Sequence, residues 1–460
     1  MRSELPFTKV YLVGIKGAGM TALAQILASH KVHVTGSDTK ETFFTDALLR
    51  QSGIHFFERF SQDNVPADTQ AIIHSTAYHP EVHEELVFAQ SRGIPVFSYP
   101  EFLGILTKQK LSIAVCGAHG KTTTTALLAH VLFSMGKDPS ALVGSEVLDW
   151  KNDALMGTGV NFVFEADEYQ NKLKHYHPWS LILTNVGYDH PDYFPTSQSY
   201  EEVFESFVRK IPPHGWVVVC ADNEGAMRVS NVSQRITYGY AKDALYQIRE
   251  ENPKRGFAQT FTIQKDNEVI GEFSLRLFGR HNIQNASGVI AFCDTMGLDM
   301  KAVSKGLQSF HGTTRRMEKK GTYKGSLVLD DYAHHPEEIE VTLDALKEHY
   351  PNKEKIVVFQ PHTFSRTEMF LDDFGKSFQE ADAVLLLDIY ASSREKEGAI
   401  SSDDLAKKIN ESSPEKAANV HTKERAIDLL KKSADKDTII ITMGAGDVWR
   451  VGEALVKKSG

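Results

Sequence analysis

Cysteine is nearly absent. The chain carries three, Cys116, Cys220 and Cys293, in 460 residues. They are widely spaced and each sits in an apolar setting, which excludes a disulfide framework and a clustered zinc site. They read as reduced core residues. No apolar run approaches the ~18 residues needed to span a bilayer, and the start lacks a charged-then-apolar signal segment. A cytosolic protein with no membrane partner is expected. Basic charge is not in excess either. The net charge is −9, and no Lys/Arg-rich stripe with interleaved aromatics occurs, so a nucleic-acid partner is not expected. Basic groups should act locally, on anionic ligands. Solenoid repeats and low-complexity tails are also missing.

What is present is too long for one core. At about 100–200 residues per domain, three domains are expected, here divided at 1–107, 108–313 and 314–460. The fold class is α/β throughout. A Rossmann-like N-terminal domain precedes a central parallel-sheet domain of the phosphate-loop ATPase type and a C-terminal α/β domain.

The most informative segment is LSIAVCGAHGKTTTTALLAHVLFSM, residues 111–135. Its order is strand, glycine-bounded loop, helix. The loop Gly117, Ala118, His119, Gly120, Lys121, Thr122, running on to Thr123, would aim backbone N–H groups and a helix N-terminus at phosphate oxygens. Lys121 would neutralise charge and Thr122 would offer a hydroxyl to Mg²⁺. The loop is two residues shorter than the usual G-x-x-x-x-G-K-[ST] pattern, so the strand before it and the helix after it carry the reading. That reading is nucleoside triphosphate binding.

Residues 10–38 repeat the strand, glycine loop, helix order, and a second strand ends at Asp38. Gly17-x-Gly19-x-x-Ala22 with an acid about 20 residues on fits a dinucleotide fingerprint. The same backbone would hold any nucleoside diphosphate, because glycines that admit a pyrophosphate do not read the group beyond it. Lys16, ahead of the loop, is expected to face water. In the central domain AVCG, FVFEAD, SLILTNV, WVVVCAD and ITYGY read as strands. The stretch Ala241 to Phe278 alternates with period two around Asn267 and reads as an antiparallel insertion or sheet edge. FVFEADEY ends with Glu165, Asp167 and Glu168, and the next strand ends near Asp189 and His190. Strand C-termini of an open α/β sheet converge on one crevice, so Thr122, Glu168 and His190 are candidate ligands for one or two divalent cations. Magnesium is favoured over zinc because the donors are mainly oxygen.

Ten ordered blocks then resemble the Mur ligase family from end to end: GIKGAGM, GAHGKTTTT, EADE, TNVGYDHPDY, GRHNIQN, RRME, DDYAHHPEE, QPHTFSR, DIYASSREKEG and GAGD. The resemblance implies that the first domain holds a UDP-sugar, the second ATP, and the third the amino-acid acceptor. It implies UDP contacts from Gly17, Ala18, Gly19, Met20, Asp38, Ser75 and Thr76. Adenine contacts would come from His281, Asn282 and Asn285, with Arg315, Arg316 and Asp331 completing the ATP set. His281 and Asn282 have an alternative reading as a helix N-terminal cap, and Arg315 and Arg316 as a solvated linker pair.

The reaction implied is ATP-driven amide formation through an acyl phosphate. UDP-N-acetylmuramate and L-alanine would be the substrates of a monomer or homodimer, with ATP and Mg²⁺ as cofactors. Lys121, His190, Arg316, His334, His362 and Arg366 form the implied catalytic set, acting by positioning, charge and proton transfer. Tyr332, His334, His335, His362 and Arg366 would hold the amino acid, Arg366 being the best partner for its carboxylate. Which histidine takes the amine proton is left open, and His334 and His335 also read as capping residues beside Pro336. Arg394 and Glu395 are left outside the site as a charged loop. Sister ligases use a carbamylated lysine after the D-H pair, whereas YEEVFESF, 200–207, has no lysine. A second magnesium would have to be held otherwise. QPHTFSR and DIYASSREKEG favour the alanine-adding branch over a murein tripeptide ligase. An NAD-dependent oxidoreductase would leave Lys121 unexplained, and the metal and acceptor sets argue against a non-catalytic nucleotide-regulated binding protein.

Overall fold

The computed structural model describes residues 6–43, 45–190, 193–253, 258–391 and 398–457. Each of its three sheets places ligand-facing loops at strand C-termini. The first sheet has five parallel strands in the order His55–Phe57, His33–Ser37, Lys9–Val13, Ala71–His74, Val96–Ser98. Chain order runs outward in opposite directions from Lys9–Val13 and Ala71–His74, and the crevice at such a switch point is the ligand site of doubly wound sheets. The glycine loop leaves the first strand there and enters α1 (Ala18–Ser29), with Gly17 at the N-cap.

The second sheet has ten strands. Its centre is Leu111–Cys116, flanked in parallel by Ser180–Leu183 and Asn161–Glu165, and α2 (Lys121–Ser134) follows directly from the central strand's loop. The expected antiparallel edge is present as Tyr246–Pro253, Gln259–Lys265 and Glu268–Leu275. Asp266 and Asn267 turn the last pair with φ of +49° and +68°, the left-handed conformation that a two-residue hairpin needs. At the opposite edge lies an unforeseen hairpin, Ser140–Val147 with Asn152–Met156. Its alternation is broken by Gly144 and by an inward-facing acid, so no period-two pattern announces it. α3 (Arg280–Thr295) packs against this domain's sheet.

The third sheet runs Glu318–Tyr323, Ser326–Asp331, Thr438–Met443, Glu354–Phe359, Ala383–Leu387, Ala417–His421, parallel except for the first strand. α4 (Pro336–His349) follows its second strand. The two outer strands were not evident in the sequence. Cys116, Cys220 and Cys293 are buried free thiols, and burial pushes Cys220 and Cys293 up to about 12. Among the described residues no helix is long and apolar enough to cross a membrane.

The seams are tightly bonded. The helix Tyr99–Gln109 continues past residue 107, and Ser112 Oγ donates to the Thr107 carbonyl at 2.7 Å. A Cβ on Gly104 of that helix would stand 2.3 Å from the His175 carbonyl oxygen, so glycine lets the two domains approach closely. At the expected 313/314 boundary a bridge joins Val147 and Thr313, and Thr314 N–H donates to the Glu146 carbonyl at 2.8 Å. α1 lies against the Asn152–Met156 strand.

That strand buries Asp153 to 2% exposure, with neither carboxylate oxygen hydrogen-bonded among the described residues. Burial pushes its carboxyl up to about 7 from an ordinary 3.8. Between those values the folded chain keeps a proton that the unfolded chain has released, so this group's contribution to stability falls as pH rises and stays low above pH 7. Asp153→Asn should therefore raise stability by about 4 kcal/mol at pH 8 and by little near pH 4. Urea midpoints at the two pH values check this; an equal change at both would contradict it.

Candidate active site

The phosphate loop is shaped by two glycines and fastened from the next strand. Gly117 and Gly120 have φ of +142° and +81°. A Cβ on Gly117 would meet Thr184 Oγ1 at 2.2 Å, and one on Gly120 would meet Asn285 Oδ1 at 2.7 Å. Asn185 accepts from His119 N–H at 2.9 Å and donates from Nδ2 to the His119 carbonyl at 2.9 Å. Thr184 Oγ1 donates to that carbonyl at 2.6 Å. The loop's path is thus fixed by bonds within the protein. The first N–H groups of α2 have no acceptor inside the helix, and Thr122 and Thr123 line the adjoining cavity.

Lys121 Nζ donates to the Gly117 and Ala118 carbonyls at 2.6 and 3.2 Å and to Glu168 Oε2 at 2.9 Å. Burial would depress this amine, but Glu168, Asp167 and Glu165 overcome it and hold the ammonium above its ordinary value. Thr122 Oγ1 donates to Glu165 Oε1 at 3.1 Å. Glu168 is fully buried, and its other oxygen accepts from Tyr200 OH at 3.1 Å. His190 Nε2 lies 3.7 Å from the same oxygen. Tyr200 stands on the lysine-free helix Ser197–Val208, so a hydroxyl reaches Glu168 from that element. His190 stands beside Glu168 while Thr122 reaches Glu165, and the mainly oxygen donors of Thr122, Glu168 and His190 are of the kind that suits a hard divalent cation.

The cavity beside this cluster has a volume of about 340 Å³. The loop residues His119, Gly120, Thr122 and Thr123 form one wall, and Tyr238, His281, Asn282 and Asn285 another. Neither His281 nor Asn282 caps α3, whose N-cap Gly279 has no side-chain cap bond. Asn282 Nδ2 instead donates to the Phe278 carbonyl at 2.9 Å. Burial, with Arg316 nearby, pushes His281 down to about 4, leaving a neutral imidazole suited to an uncharged base.

The third domain closes the cavity with Arg316, Asp331, Glu337 and Glu338. Adjacent Arg315 and Arg316 diverge. Arg315, at φ +60°, turns back into its own domain, donating to Asp330 Oδ2 at 3.1 Å and to carbonyls of Gly444, Ala445 and Gly446. The guanidinium of Arg315, expected among the nucleotide contacts, thus holds the GAGD loop. Asp331 accepts from Met317 and Ala333 N–H at 2.8 and 2.7 Å, and burial pushes it up to about 6.

Glu338 is the hub of this junction. It meets His119 Nδ1 at 3.2 Å, Arg316 at 3.6 Å and His334 Nδ1 at 3.2 Å. Burial would raise it, but the imidazoles of His334 and His119 hold it well below the usual carboxylate range. His334 also packs edge-on to Tyr332 and His362, at 5.3 and 6.0 Å between ring centroids. Arg366 is 7% exposed and donates to Asp189 Oδ1 at 3.1 Å, while its Nε has no partner among the described residues. Burial would raise Asp189, but Arg366 and His190 keep it well below its ordinary value.

In the first domain Gly17, Ala18 and Gly19 are exposed at the start of α1, while the Met20 side chain is buried. Only the backbone of Met20 is placed to meet a ligand. Asp38 accepts from Lys16 N–H at 2.7 Å and Thr39 N–H at 2.8 Å, so its carboxylate pins the glycine loop. Ser75 and Thr76 border the same crevice after the fourth strand in chain order. Lys16 corrects an expectation. It is 1% exposed, bound to Asp46 and Glu58 at 3.2 Å each and to the Thr39 and Glu41 carbonyls. Arg394 and Glu395 fall outside the described residues. Sequence reasoning missed Asn185, Tyr200 and Glu338, though TNVGYDHPDY and DDYAHHPEE contain the first and last.

A glycine-loop Rossmann unit, a phosphate-loop unit and a third α/β unit around one junction define a nucleotide-binding ligase architecture. Family models described as Mur ligase family catalytic domain, Mur ligase middle domain, and Mur ligase glutamate ligase domain match residues 9–111, 115–293 and 315–446. The chain belongs to the Mur ligase family, whose members are ATP-dependent ligases. The oxidoreductase reading is thereby set aside. A UDP-N-acetylmuramate--L-alanine ligase of Desulfitobacterium hafniense (strain Y51) is 41% identical over 450 residues, covering 97% of this chain and 99% of that protein. The UDP-N-acetylmuramate-alanine ligase structure from Thermotoga maritima has a TM-score of 0.81 at 28% identity, covering 98% of this chain and 99% of that one. A murein peptide ligase from Psychrobacter arcticus 273-4 shares the fold, with a TM-score of 0.69 at 23% identity over 98% of each chain.

Gly120→Ala would force a left-handed alanine, costing about 1–2 kcal/mol, against Asn285. ADP affinity should fall roughly tenfold or more with the fold retained, read by calorimetric titration and circular dichroism; unchanged affinity would count against the loop as the phosphate cradle.

Proposed function

We propose that this enzyme joins L-alanine to the lactyl carboxylate of UDP-N-acetylmuramate, with ATP cleaved to ADP and phosphate, in the synthesis of peptidoglycan precursors. The carrying observation is the single junction at which Lys121 and the buried Glu168 face Arg316, His334 and Arg366 of the third domain. The acceptor choice draws on the alanine ligase relative matched along 97% of the chain. ATP and the nucleotide-activated sugar place the reaction in the cytoplasm.

The lactyl carboxylate attacks the γ-phosphorus of ATP, ADP departs, and an acyl phosphate remains. The amine of alanine then attacks the acyl carbon, and phosphate leaves as the amide forms. Both steps gather negative charge on oxygen, so positioned cations and N–H donors do most of the work. Lys121 is held charged by its three carboxylate neighbours, ready for the β- and γ-phosphates. The N–H groups of Gly120 to Thr123 receive the same oxygens, and Arg316 reaches them from the opposite wall. Thr122, Glu168 and His190 would hold Mg²⁺, which when bound supplies counter-charge to the triphosphate.

In the first domain the N–H groups of Ala18, Gly19 and Met20 would cradle the UDP pyrophosphate, with Ser75 and Thr76 beside it. His281, Asn282 and Asn285 would receive adenine, and Asp331 the ribose. The Arg366 guanidinium is placed for the alanine carboxylate, and Tyr332, His334 and His362 for its ammonium and the tetrahedral oxyanion. His335, expected beside them, is pushed down to about 4 chiefly by burial and is neutral at working pH, so it would adjoin the amino acid without adding charge.

Lys121→Ala should lower alanine-dependent phosphate release by about 10²-fold or more, leaving UDP-N-acetylmuramate binding near normal. The parent assay supplies L-alanine or L-Ala-γ-D-Glu-diaminopimelate and reads product mass. Turnover with the tripeptide alone would overturn the choice of acceptor, and unchanged turnover in the variant would remove Lys121 from the mechanism.

A further inference from the structure

One group of metal-binding side chains lies outside the set that faces Lys121. His119 of the phosphate loop and His335 and Glu337 at the start of α4 each bring one donor atom to within 4.8 Å of the others. The two imidazole centroids are 5.3 Å apart. His119 Nδ1 is engaged by Glu338 Oε1 at 3.2 Å, and its Nε2 points toward Glu337 Oε2 at 3.7 Å. A carboxylate on one ring nitrogen fixes the tautomer and leaves the other as a lone-pair donor, the arrangement usual behind metal-bound histidines.

His335 supplies an independent observation. It is 5% exposed, yet neither ring nitrogen has a hydrogen-bond partner among the described residues. Phe370 packs edge-on against it at 4.7 Å and holds the ring facing His119. A buried imidazole with both nitrogens unsatisfied is costly, and a bound cation would satisfy one of them.

We propose that His119, His335 and Glu337 form a transition-metal site, suited to Zn²⁺, that ties the phosphate loop to α4 of the third domain. Two imidazoles and a carboxylate with an open fourth position match zinc and not magnesium. Metal–ligand bonds of about 2.0–2.1 Å place tetrahedral donors roughly 3.3 Å apart. Glu337, whose side chain is 67% exposed, has the freedom to close the remaining distance. The ion would sit at the mouth of the nucleotide cavity, which His119 and Glu337 both line. It shares no ligand with Thr122, Glu168 and His190, and the inference stands whether or not alanine is the acceptor.

The test is calorimetric titration of ZnCl₂ into metal-stripped, nucleotide-free full-length protein at constant pH, with Co²⁺ absorption reporting ligand geometry. His190→Gln should still bind one equivalent of Zn²⁺ and give the visible band of a tetrahedral Co²⁺ site. His335→Gln and Glu337→Gln should each weaken that binding about tenfold or more. Glu337 is a surface residue, so its variant remains informative if His335→Gln misfolds. Zinc binding lost in His190→Gln, or unchanged in Glu337→Gln, would overturn the proposal.

Discussion

The buried ion pair of Lys121 with Glu168 is the constraint on which the rest of the site depends. An ammonium and a carboxylate taken out of water cost several kcal/mol each unless geometry and further hydrogen bonds repay them. Here Lys121 also donates to two loop carbonyls and Glu168 also accepts from Tyr200. The pair therefore fixes three things together: the path of the phosphate loop, the end of the strand Asn161–Glu165, and the seat of the helix carrying Tyr200. A phosphate ligand arriving there would meet a cation already oriented and largely withdrawn from water, with little reorganisation left to perform.

The same logic extends across the domain junctions. Glu338 gathers His119, Arg316 and His334, and Asp189 gathers Arg366 and His190. Each carboxylate takes partners from two domains, so neither domain alone satisfies its own charges. The third domain is consequently held against the second by the residues that would receive phosphate and amino acid. Rearrangement of that interface and ligand arrival draw on the same contacts.

How much of this was legible follows from how local each signal is. The phosphate loop and the first glycine loop could be read because strand, turn and helix are contiguous and their glycines have fixed backbone roles. The hairpin Ser140–Val147 with Asn152–Met156 could not, since Gly144 and the inward Asp153 break its alternation. Lys16 was expected in water because its partners Asp46 and Glu58 lie 30 and 42 residues away. Arg315 and Arg316 are indistinguishable as letters, and only the left-handed backbone at Arg315 sends the two guanidiniums apart. Pairing of Asp189 with Arg366 spans 177 residues, beyond any spacing rule.

That last pair bears on how an acceptor could be held in the proposed reaction. A carboxylate arriving at Arg366 would find one guanidinium nitrogen committed to Asp189 and Nε buried with no partner among the described residues. Arginine carries five N–H donors in a planar fork, so it can keep Asp189 and still receive a second carboxylate. Breaking the pair would instead strand Asp189 in a nearly dry setting, at a cost of about 3–5 kcal/mol. Retention of Asp189 is therefore the cheaper arrangement. It leaves the position of the amino acid governed by the same carboxylate that orients His190 beside Glu168, coupling the acceptor to the phosphate chemistry through one side chain.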